Sequence, residues 1–422
     1  MTTTAERPRR DSAVAEWLAS TKRSLGHTLD RPLTSYYLLL GASTLLLTIG
    51  LMMVLSASSI YSFVNYDGNS YYIFLKQLMW VALALPVAFV ASRMPARYIR
   101  WLAWPGLIVA TTLVALTQTG LGVSVNGNTN WLAIGPLRIQ PSEIAKLAMV
   151  LWCADVYARK EKVLEDWKHV LIPMVPVTGL ITALVVKGGD LGTALVLFAI
   201  ILGMLWVVGA PARLFVGSLL SVGVLALYLA STSKERLERM TTFADPFKDY
   251  LGSGWQPAHG LFAISSGGWF GKGISASQQK WGDLPEAHTD FIFAVLGEEL
   301  GLVGTMLVLG LFLTIAYAGV RVAVRTDDPF IRYMCAGITI WLMSQMMINV
   351  GMVLAMLPVI GIPLPLVSYG GSALLPSLVA LGLLLSFARS EPGAKAALRA
   401  KRRRRAAGVT ACGGLARREN AG

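Results

Sequence analysis

Long apolar runs separated by shorter polar stretches extend along most of this 422-residue chain. Several runs reach the roughly 20 residues that an α-helix needs to cross a lipid bilayer. The pattern therefore predicts an all-α, polytopic integral membrane protein with about ten transmembrane helices. The predicted spans are 36–56, 77–92, 101–119, 142–158, 169–186, 190–209, 213–231, 291–320, 331–356 and 370–388.

The composition agrees with a membrane protein, because 55% of the residues are hydrophobic and only 14% are charged. Soluble domains average nearer one quarter charged residues. Of the three cysteines, two lie inside apolar runs and one in the C-terminal tail. Their spacing indicates neither a disulfide framework nor a metal knuckle, so redox chemistry is not expected.

The net charge of +13 reflects membrane topology rather than nucleic-acid binding. Basic residues concentrate in alternate loops, which the positive-inside rule places in the cytoplasm together with both termini. We therefore divide the chain into a polar cytoplasmic tail (1–35), a membrane domain (36–390) and a basic cytoplasmic tail (391–422). The "KRRRR" run at 401–405 is expected to lie near anionic lipid headgroups. The basic loop residues are Arg93, Arg97, Arg100, Arg159, Lys160, Lys162, Lys168, Arg213, Arg321, Arg325 and Arg332.

Three outward-facing segments are too long or too unusual to be simple connectors: 126–147, 231–290 and 357–376. The second forms a large extracytoplasmic loop between helices 7 and 8, and loops of such length are usually functional or disordered. Two stretches rich in Gly, Pro and Ser, 265–273 and 363–372, predict non-helical backbone at membrane depth. Such backbone is tolerated only where it is buried in protein or lines a wet cavity, so we expect a polar cavity open to the outside.

The stretch "PEAHTDFIF" places three titratable side chains, Glu286, His288 and Asp290, directly before an apolar span. Asp290 could simply cap the helix, since Asp is a favoured N-cap residue. Alternatively, a carboxylate in a partly dry cleft accepts a proton from a sugar hydroxyl, with Glu286 and His288 either tuning its charge or helping to hold a cation. Ser368 and Ser372 flank another helix start on the same side, where the helix dipole favours anions.

A second polar group surrounds the fourth span. Glu143 and Lys146 are three residues apart on one helix face and either neutralise each other or serve a function. Arg138 and Lys146 together would form a cationic patch for a phosphate-bearing headgroup. Trp131 is either an interfacial anchor or a wall for a sugar ring. Lys272 is a further polar candidate, and Gln345 and Asn349 either line the cavity or bond to another helix. Glu298 and Glu299 are either buried partners of cations, the favoured interpretation, or part of an interface with another protein.

Four segments resemble the SEDS family, the shape, elongation, division and sporulation proteins of bacteria. They are "NTNWLAIGPLRIQPSEIAKL", "GGWFGKG", "PEAHTDFIFAVLGEELGLVG" and "GIPLPLVSYGGS". The likeness covers residues 36–390, and Ser277 to Lys280 look more like the division member than the elongation member. The stretch "KGGDLGT" (187–193) departs from the usual family pattern.

The resemblance implies a ten-helix SEDS fold and a peptidoglycan glycosyltransferase that polymerises lipid II at the outer face of the plasma membrane. The family's essential aspartate corresponds to Asp290. Expected partners are lipid II, the undecaprenyl-diphosphate-linked glycan, other divisome proteins at the septum, and a class B penicillin-binding protein docked on helices 8 and 9. The candidate substrate-binding residues are Arg138, Lys146, Trp131, Glu143, His288, Glu286, Ser368, Ser372, Lys272 and Gln345.

Two other functions compete with polymerisation. A lipid II flippase would use the intramembrane cations as a polar path, and a passive divisome scaffold would need none of these residues. The polymerase and the flippase differ at Asp290, because a polymerase needs a base at the outer end of this span, whereas a flippase gains little from a carboxylate there. No metal-ligand motif is present, and the sequence leaves open whether a divalent cation such as Mg²⁺ or Mn²⁺ takes part.

Overall fold

The computed structural model describes residues 31–400 except 126–127, 136, 165, 232–233, 244 and 399. Most of the predicted N-terminal tail, the "KRRRR" run and Cys412 lie outside the described residues. The α-helices are α1 (Thr34–Asn65), α2 (Tyr72–Arg93), α3 (Ala96–Trp101), α4 (Ala103–Leu116), α5 (Pro141–Lys160), α6 (Trp167–Lys187), α7 (Leu191–Val207), α8 (Ala212–Ser231), α9 (Lys234–Thr242), α10 (Trp255–Ser266), α11 (Ile292–Arg325), α12 (Pro329–Val353) and α13 (Leu374–Ala388).

Each of the ten predicted spans coincides with a helix of this set, so the chain is a multi-pass membrane protein. Within the described residues, six helices are long and apolar enough to cross a bilayer, and α4, α7 and the start of α8 are shorter apolar helices. The tenth helix is α5, which carries charged side chains along its length. The first and last residues of these helices differ from the predicted ones by a few positions. The largest difference is at the end of α1, which extends nine residues further than predicted.

The charges of α5 are compatible with a buried helix because each of its buried acids has a cationic partner. Lys146 pairs with Glu143, and Asp155 accepts hydrogen bonds from Arg100 and Arg159 at 2.6 and 2.8 Å. Paired ionisable groups cost far less inside a bundle than isolated ones. The helix therefore packs centrally, against α4 and α12.

A small antiparallel sheet, which the all-α prediction lacked, occupies the first outer segment. Its strands are β1 (Gly122–Val125), β2 (Asn128–Ile134) and β3 (Leu137–Ile139), in the order β1-β2-β3. Trp131 pairs across the sheet with Val123, and Arg138 pairs with Ala133. The sheet leads directly into α5 and places both residues beside the start of that helix.

Helix α11 is interrupted near its outer end at Gly301, whose φ is +67°. The interruption frees backbone groups, and the glycine-rich stretch 267–273 satisfies them. The carbonyls of Glu298 and Glu299 accept from the amides of Lys272 and Gly273 at 2.9 and 3.1 Å. The amides of Leu302 and Val303 donate to Gly268 and Trp269. This non-helical stretch is therefore packed against protein instead of opening a cavity.

Gly271 explains why the stretch needs glycine at this point. Its φ is +79°, a conformation that side chains disfavour. A Cβ atom at this position would also collide with the carbonyl of Glu299. The close approach of the two backbones is possible only without a side chain.

Candidate functional site

Asp290 lies in the turn that precedes α11, with its side chain half-buried. Its main-chain oxygen accepts a hydrogen bond from Asn349 Nδ2 of α12 at 2.8 Å. Gly361 lies against the carboxylate, since a Cβ built there would be 3.3 Å from Oδ2. The N-cap of α11 is Phe291 and has no side-chain cap, so the capping interpretation of Asp290 is wrong.

The surroundings of Asp290 make its carboxyl group a weaker acid than usual. Burial, followed by the negative charges of Glu286 and Asp190, raises the pKa of Asp290 to about 7, while Arg239 opposes the shift. Among the described residues, no donor forms a hydrogen bond with the carboxylate. A carboxylate of this kind is partly ionised at neutral pH and can accept a proton.

The two titratable neighbours in the same turn have different roles. His288 is buried, with its ring 5.1 Å from that of Tyr61 and 5.9 Å from that of Tyr369. Burial lowers the pKa of His288, and Glu286 opposes the shift. Glu286 is exposed and accepts from the Thr289 hydroxyl at 2.6 Å. The negative charge of Glu286 raises the pKa of Asp290, and His288 packs between aromatic rings. The functional roles of both residues stay predictions.

Lys146 is buried, with 1% of its surface exposed, and its ammonium group is fully engaged. The Nζ atom donates to Glu143 Oε1 at 2.8 Å and to Gln345 Oε1 at 3.2 Å. It also lies 5.6 Å from the centre of the Trp341 ring. The self-neutralising interpretation of the Glu143–Lys146 pair is thus confirmed.

Arg138 is exposed on β3, in contrast to Lys146. The cationic patch of Arg138 and Lys146 stays a prediction, and of the two side chains Arg138 is exposed and Lys146 is buried. A buried lysine can act only through its field or after a local rearrangement. Trp131 is half-buried on β2 and leaves part of its ring accessible.

The two serines of the segment before α13 are buried acceptors inside the protein. Ser368 Oγ accepts from the Leu364 amide at 2.8 Å, and Ser372 Oγ accepts from the Gln140 amide at 3.0 Å. Ser372 thereby ties the start of α13 to the start of α5. The structure places both hydroxyls in internal contacts instead of on a surface open to substrate.

Lys272 also takes part in an internal contact, because its Nζ atom pairs with Glu298 Oε1 at 2.8 Å. Glu298 Oε2 accepts from the Ser277 hydroxyl at 2.6 Å. The adjacent Glu299 pairs with Lys280 at 3.1 Å, and both are buried. The prediction that the two glutamates are buried partners of cations is confirmed. The motif from Ser277 to Lys280 fastens the outer loop to α11.

Asp190 is a site residue that the sequence reasoning missed. Its Oδ1 atom accepts from the Thr193 amide at 2.9 Å and caps α7. Its Oδ2 atom accepts from Gln140 Nε2 at 2.8 Å and from Asn130 Nδ2 at 3.2 Å. The signal was present, since an Asp directly before an apolar run, here Asp-Leu-Gly-Thr, is typical of a helix start. Asp190 joins the sheet, α5 and α7 near Asp290.

A metal site does not fit the described residues, which hold no group of three or more His, Cys, Asp or Glu able to bind an ion. Among the described residues, the anions that raise the pKa of Asp290 are Glu286 and Asp190. A cavity of about 360 Å³ beside Arg325 and Glu391 lies at the opposite end of α11 from Asp290.

The fold and the site define a polytopic membrane protein with a proton-accepting carboxylate at a helix start. The model of the cell cycle protein family, which covers FtsW, RodA and SpoVE, matches residues 36–392. The chain belongs to this family, which is the SEDS family that its motifs resemble.

Relatives and solved structures agree with this membership. The chain is 40% identical to the probable peptidoglycan glycosyltransferase FtsW of Mycobacterium tuberculosis over 91% of its own length and 73% of that protein. It is 36% identical to stage V sporulation protein E of Bacillus subtilis over 83% and 96% of the two chains. The rod shape determining protein RodA of Thermus thermophilus superposes with a TM-score of 0.62 and 27% identity, over 84% and 97%. A chain of a peptidoglycan synthase complex gives a TM-score of 0.64 and 28% identity, over 81% and 98%.

Proposed function

We propose that this chain is a peptidoglycan glycosyltransferase that polymerises lipid II at the outer face of the bacterial plasma membrane during septal wall synthesis. The names of its relatives support this class of activity. The observation that carries the proposal is the half-buried carboxylate of Asp290, whose pKa lies at about 7. A flippase or a scaffold has no need of such a base.

In the proposed reaction, Asp290 takes the proton from the 4-hydroxyl of the GlcNAc in the acceptor lipid II. The hydroxyl oxygen then forms a bond to the anomeric carbon of the MurNAc at the end of the growing chain. The bond between that carbon and the diphosphate oxygen breaks with inversion, and undecaprenyl diphosphate leaves. The base works best when its pKa lies near the working pH, which the environment of Asp290 provides.

The leaving diphosphate gains negative charge and needs cations nearby. Exposed Arg138 can offer two parallel N–H donors to phosphate oxygens. Lys146 contributes a buried positive charge that Glu143 partly offsets. We therefore assign direct contact with the diphosphate to Arg138 and an indirect electrostatic effect to Lys146. Trp131, beside Arg138 in the sheet, is suited to packing against a sugar ring.

The proposed partner is a class B penicillin-binding protein that packs against α11 and α12, with other divisome proteins nearby. Helix α11 leaves apolar side chains exposed, as a docking helix requires. They include Val303, Met306 and Leu313, which are 52%, 56% and 63% exposed. Both termini are proposed to lie in the cytoplasm, as the distribution of basic residues favours.

The test is polymerisation of labelled lipid II by the purified complex of this protein and its class B partner. Asp290→Ala should abolish glycan strands while partner binding and thermal stability persist. Asp283→Ala is the matched control, because Asp283 is an exposed carboxylate of the same outer loop. Strands that persist with Asp290→Ala would overturn the assignment of the base. Lipid movement without strands in the unaltered protein would favour the flippase.

A further inference from the structure

Asn349 of α12 is fully buried and donates both protons of its side-chain amide to main-chain oxygens from distant parts of the chain. Nδ2 lies 2.8 Å from the oxygen of Asp290 and 2.7 Å from the oxygen of Ile362. One side chain thus holds the turn of Asp290 and the segment that passes beside its carboxylate.

The chemistry of the two acceptors fixes the orientation of this amide. Carbonyl oxygens only accept, so the NH₂ end must face them and the reverse orientation would oppose oxygen with oxygen. The Oδ1 atom of Asn349 is buried without a hydrogen-bond partner. A buried polar atom left unsatisfied is unfavourable, so the contribution of Asn349 to this region comes from its two N–H donors and not from its oxygen.

Gly361, next to the second acceptor Ile362, shows why the distance between this segment and Asp290 matters. Its φ is +71°, and a Cβ atom there would lie 3.3 Å from Asp290 Oδ2. The backbone at 361–362 therefore forms one wall around the carboxylate. Asn349 fixes the distance between this wall and Asp290, because it binds to both.

The neighbouring turn of α12 extends the same arrangement to the buried cation. Gln345, one turn before Asn349, accepts from Lys146 Nζ and donates to the oxygen of Pro363 at 3.2 Å. The two amides bind consecutive carbonyls of one segment, those of Ile362 and Pro363. The turn of Asp290 and the Lys146 ammonium group are therefore both hydrogen-bonded to side chains on one face of α12.

We propose that Asn349 is a positioning residue that holds the Asp290 carboxylate against the 361–362 backbone in its half-buried, proton-accepting geometry. The inference rests on the proposed function of Asp290 and deepens it. Asn349 does not touch the sugar; it acts through the main chain of the base. Without its donors the turn would relax, and the carboxylate would reach water more freely.

The test compares the full protein in complex with its class B partner, carrying Asn349→Leu or Asn349→Ser, in lipid II polymerisation. Leucine keeps the branching and the number of heavy atoms and removes both donors, although its methyl groups are bulkier. Serine is smaller and keeps one shorter donor, so it serves if the leucine variant does not fold. Thr339→Val is the matched control, a buried polar-to-apolar change on the same helix whose hydroxyl donates only to Cys335 O. These variants leave the titratable and charged groups around Asp290 unchanged, namely Glu286, His288, Asp190 and Arg239.

We expect the Asn349 variants to lower kcat on the order of tenfold to a hundredfold, as misplaced catalytic groups do, with little change in KM. A carboxylate that is more hydrated becomes a stronger acid, so the acid limb of the pH–rate profile should move to lower pH. Thr339→Val should change neither quantity.

Two outcomes separate this inference from the function on which it rests. In the first outcome, strand synthesis requires Asp290, but the acid limb of the pH–rate profile is unchanged in the Asn349 variants and their rate falls only in proportion to the amount of folded protein. The inference is then wrong and the proposed function stands. If strands persist with Asp290→Ala, the function assigned to the base fails and the inference fails with it.

Discussion

Asp290 shows how a single carboxyl group becomes a base at neutral pH. A free aspartate with a pKa near 4 would be ionised but too weak a base for a sugar hydroxyl. Burial and the charges of Glu286 and Asp190 raise the pKa of Asp290 to about 7, and Arg239 only partly opposes them. The same environment makes the ionised form costly to the folded protein.

Replacing this base with its neutral isostere should therefore stabilise the protein. When folding raises the pKa of a carboxyl group, the free energy of unfolding of the protein falls as the pH rises toward the folded pKa, because the ionised form is disfavoured in the folded state. Asp290→Asn should raise Tm by roughly 2–4 °C at pH 8.5 and by less at pH 5. Thermal unfolding of both proteins at the two pH values checks the sign. A lower Tm for the variant at pH 8.5 would contradict the assigned environment.

The residues of the site could be found from the sequence more easily than their contacts. The Glu143–Lys146 pair was readable because three residues separate its members on one helix face. The contact between Asn349 and Asp290 spans 59 positions, and that between Lys272 and Glu298 spans 26. Such contacts depend on how the helices pack, which hydrophobic periodicity does not specify.

At the scale of elements, the outer loop and α11 form one unit held by two ion pairs of unequal burial. Lys280 and Glu299 are 3% and 0% exposed at their side chains, whereas Lys272 is 29% exposed. Glu298 would keep the Ser277 hydroxyl and the Gln278 amide if Lys272 were lost. Glu299 would keep the Ser56 hydroxyl, which donates to Oε1 at 2.6 Å, but its buried Oε2 atom has no partner.

Removing the two lysines should therefore have different effects. Lys280→Ala leaves a buried carboxylate without its cation, which typically costs about 3–5 kcal/mol. Lys272→Ala should cost less, because its ammonium group is partly hydrated and each oxygen of Glu298 retains a donor other than the lysine. Thermal unfolding of the two variants in the same detergent measures the difference. An equal loss of Tm would argue against the burial assigned to the Lys280–Glu299 pair.

At the scale of the whole molecule, the spans followed from the sequence because bilayer thickness fixes their length. The β1–β3 sheet did not, since its short strands surround polar turns and lie in a segment judged only by its composition. The interruption at Gly301 was equally hidden, because the predicted span 291–320 continues through it without a break. Local sequence cannot show that a distant glycine-rich stretch will complete the broken helix.

The topology predicts which loops a membrane-impermeant thiol reagent reaches in intact cells. With Cys412 replaced by serine, Asp283→Cys in the outer loop should be labelled directly. Asp327→Cys, between α11 and α12, should be labelled only after permeabilisation, because α11 separates the two positions. Cys153 and Cys335 are buried and should stay silent. Labelling of position 327 in intact cells would reverse the orientation.

The most direct test of the account is the pH dependence of lipid II polymerisation by the purified complex. If Asp290 is the base, the initial rate should rise with pH and reach half its maximum near pH 7, since the pKa of Asp290 is about 7. Glu286→Gln should move this midpoint to lower pH by less than about one unit, because exposed charges are screened. A rate that stays constant from pH 5.5 to pH 8.5, or falls as the pH rises, would contradict the account.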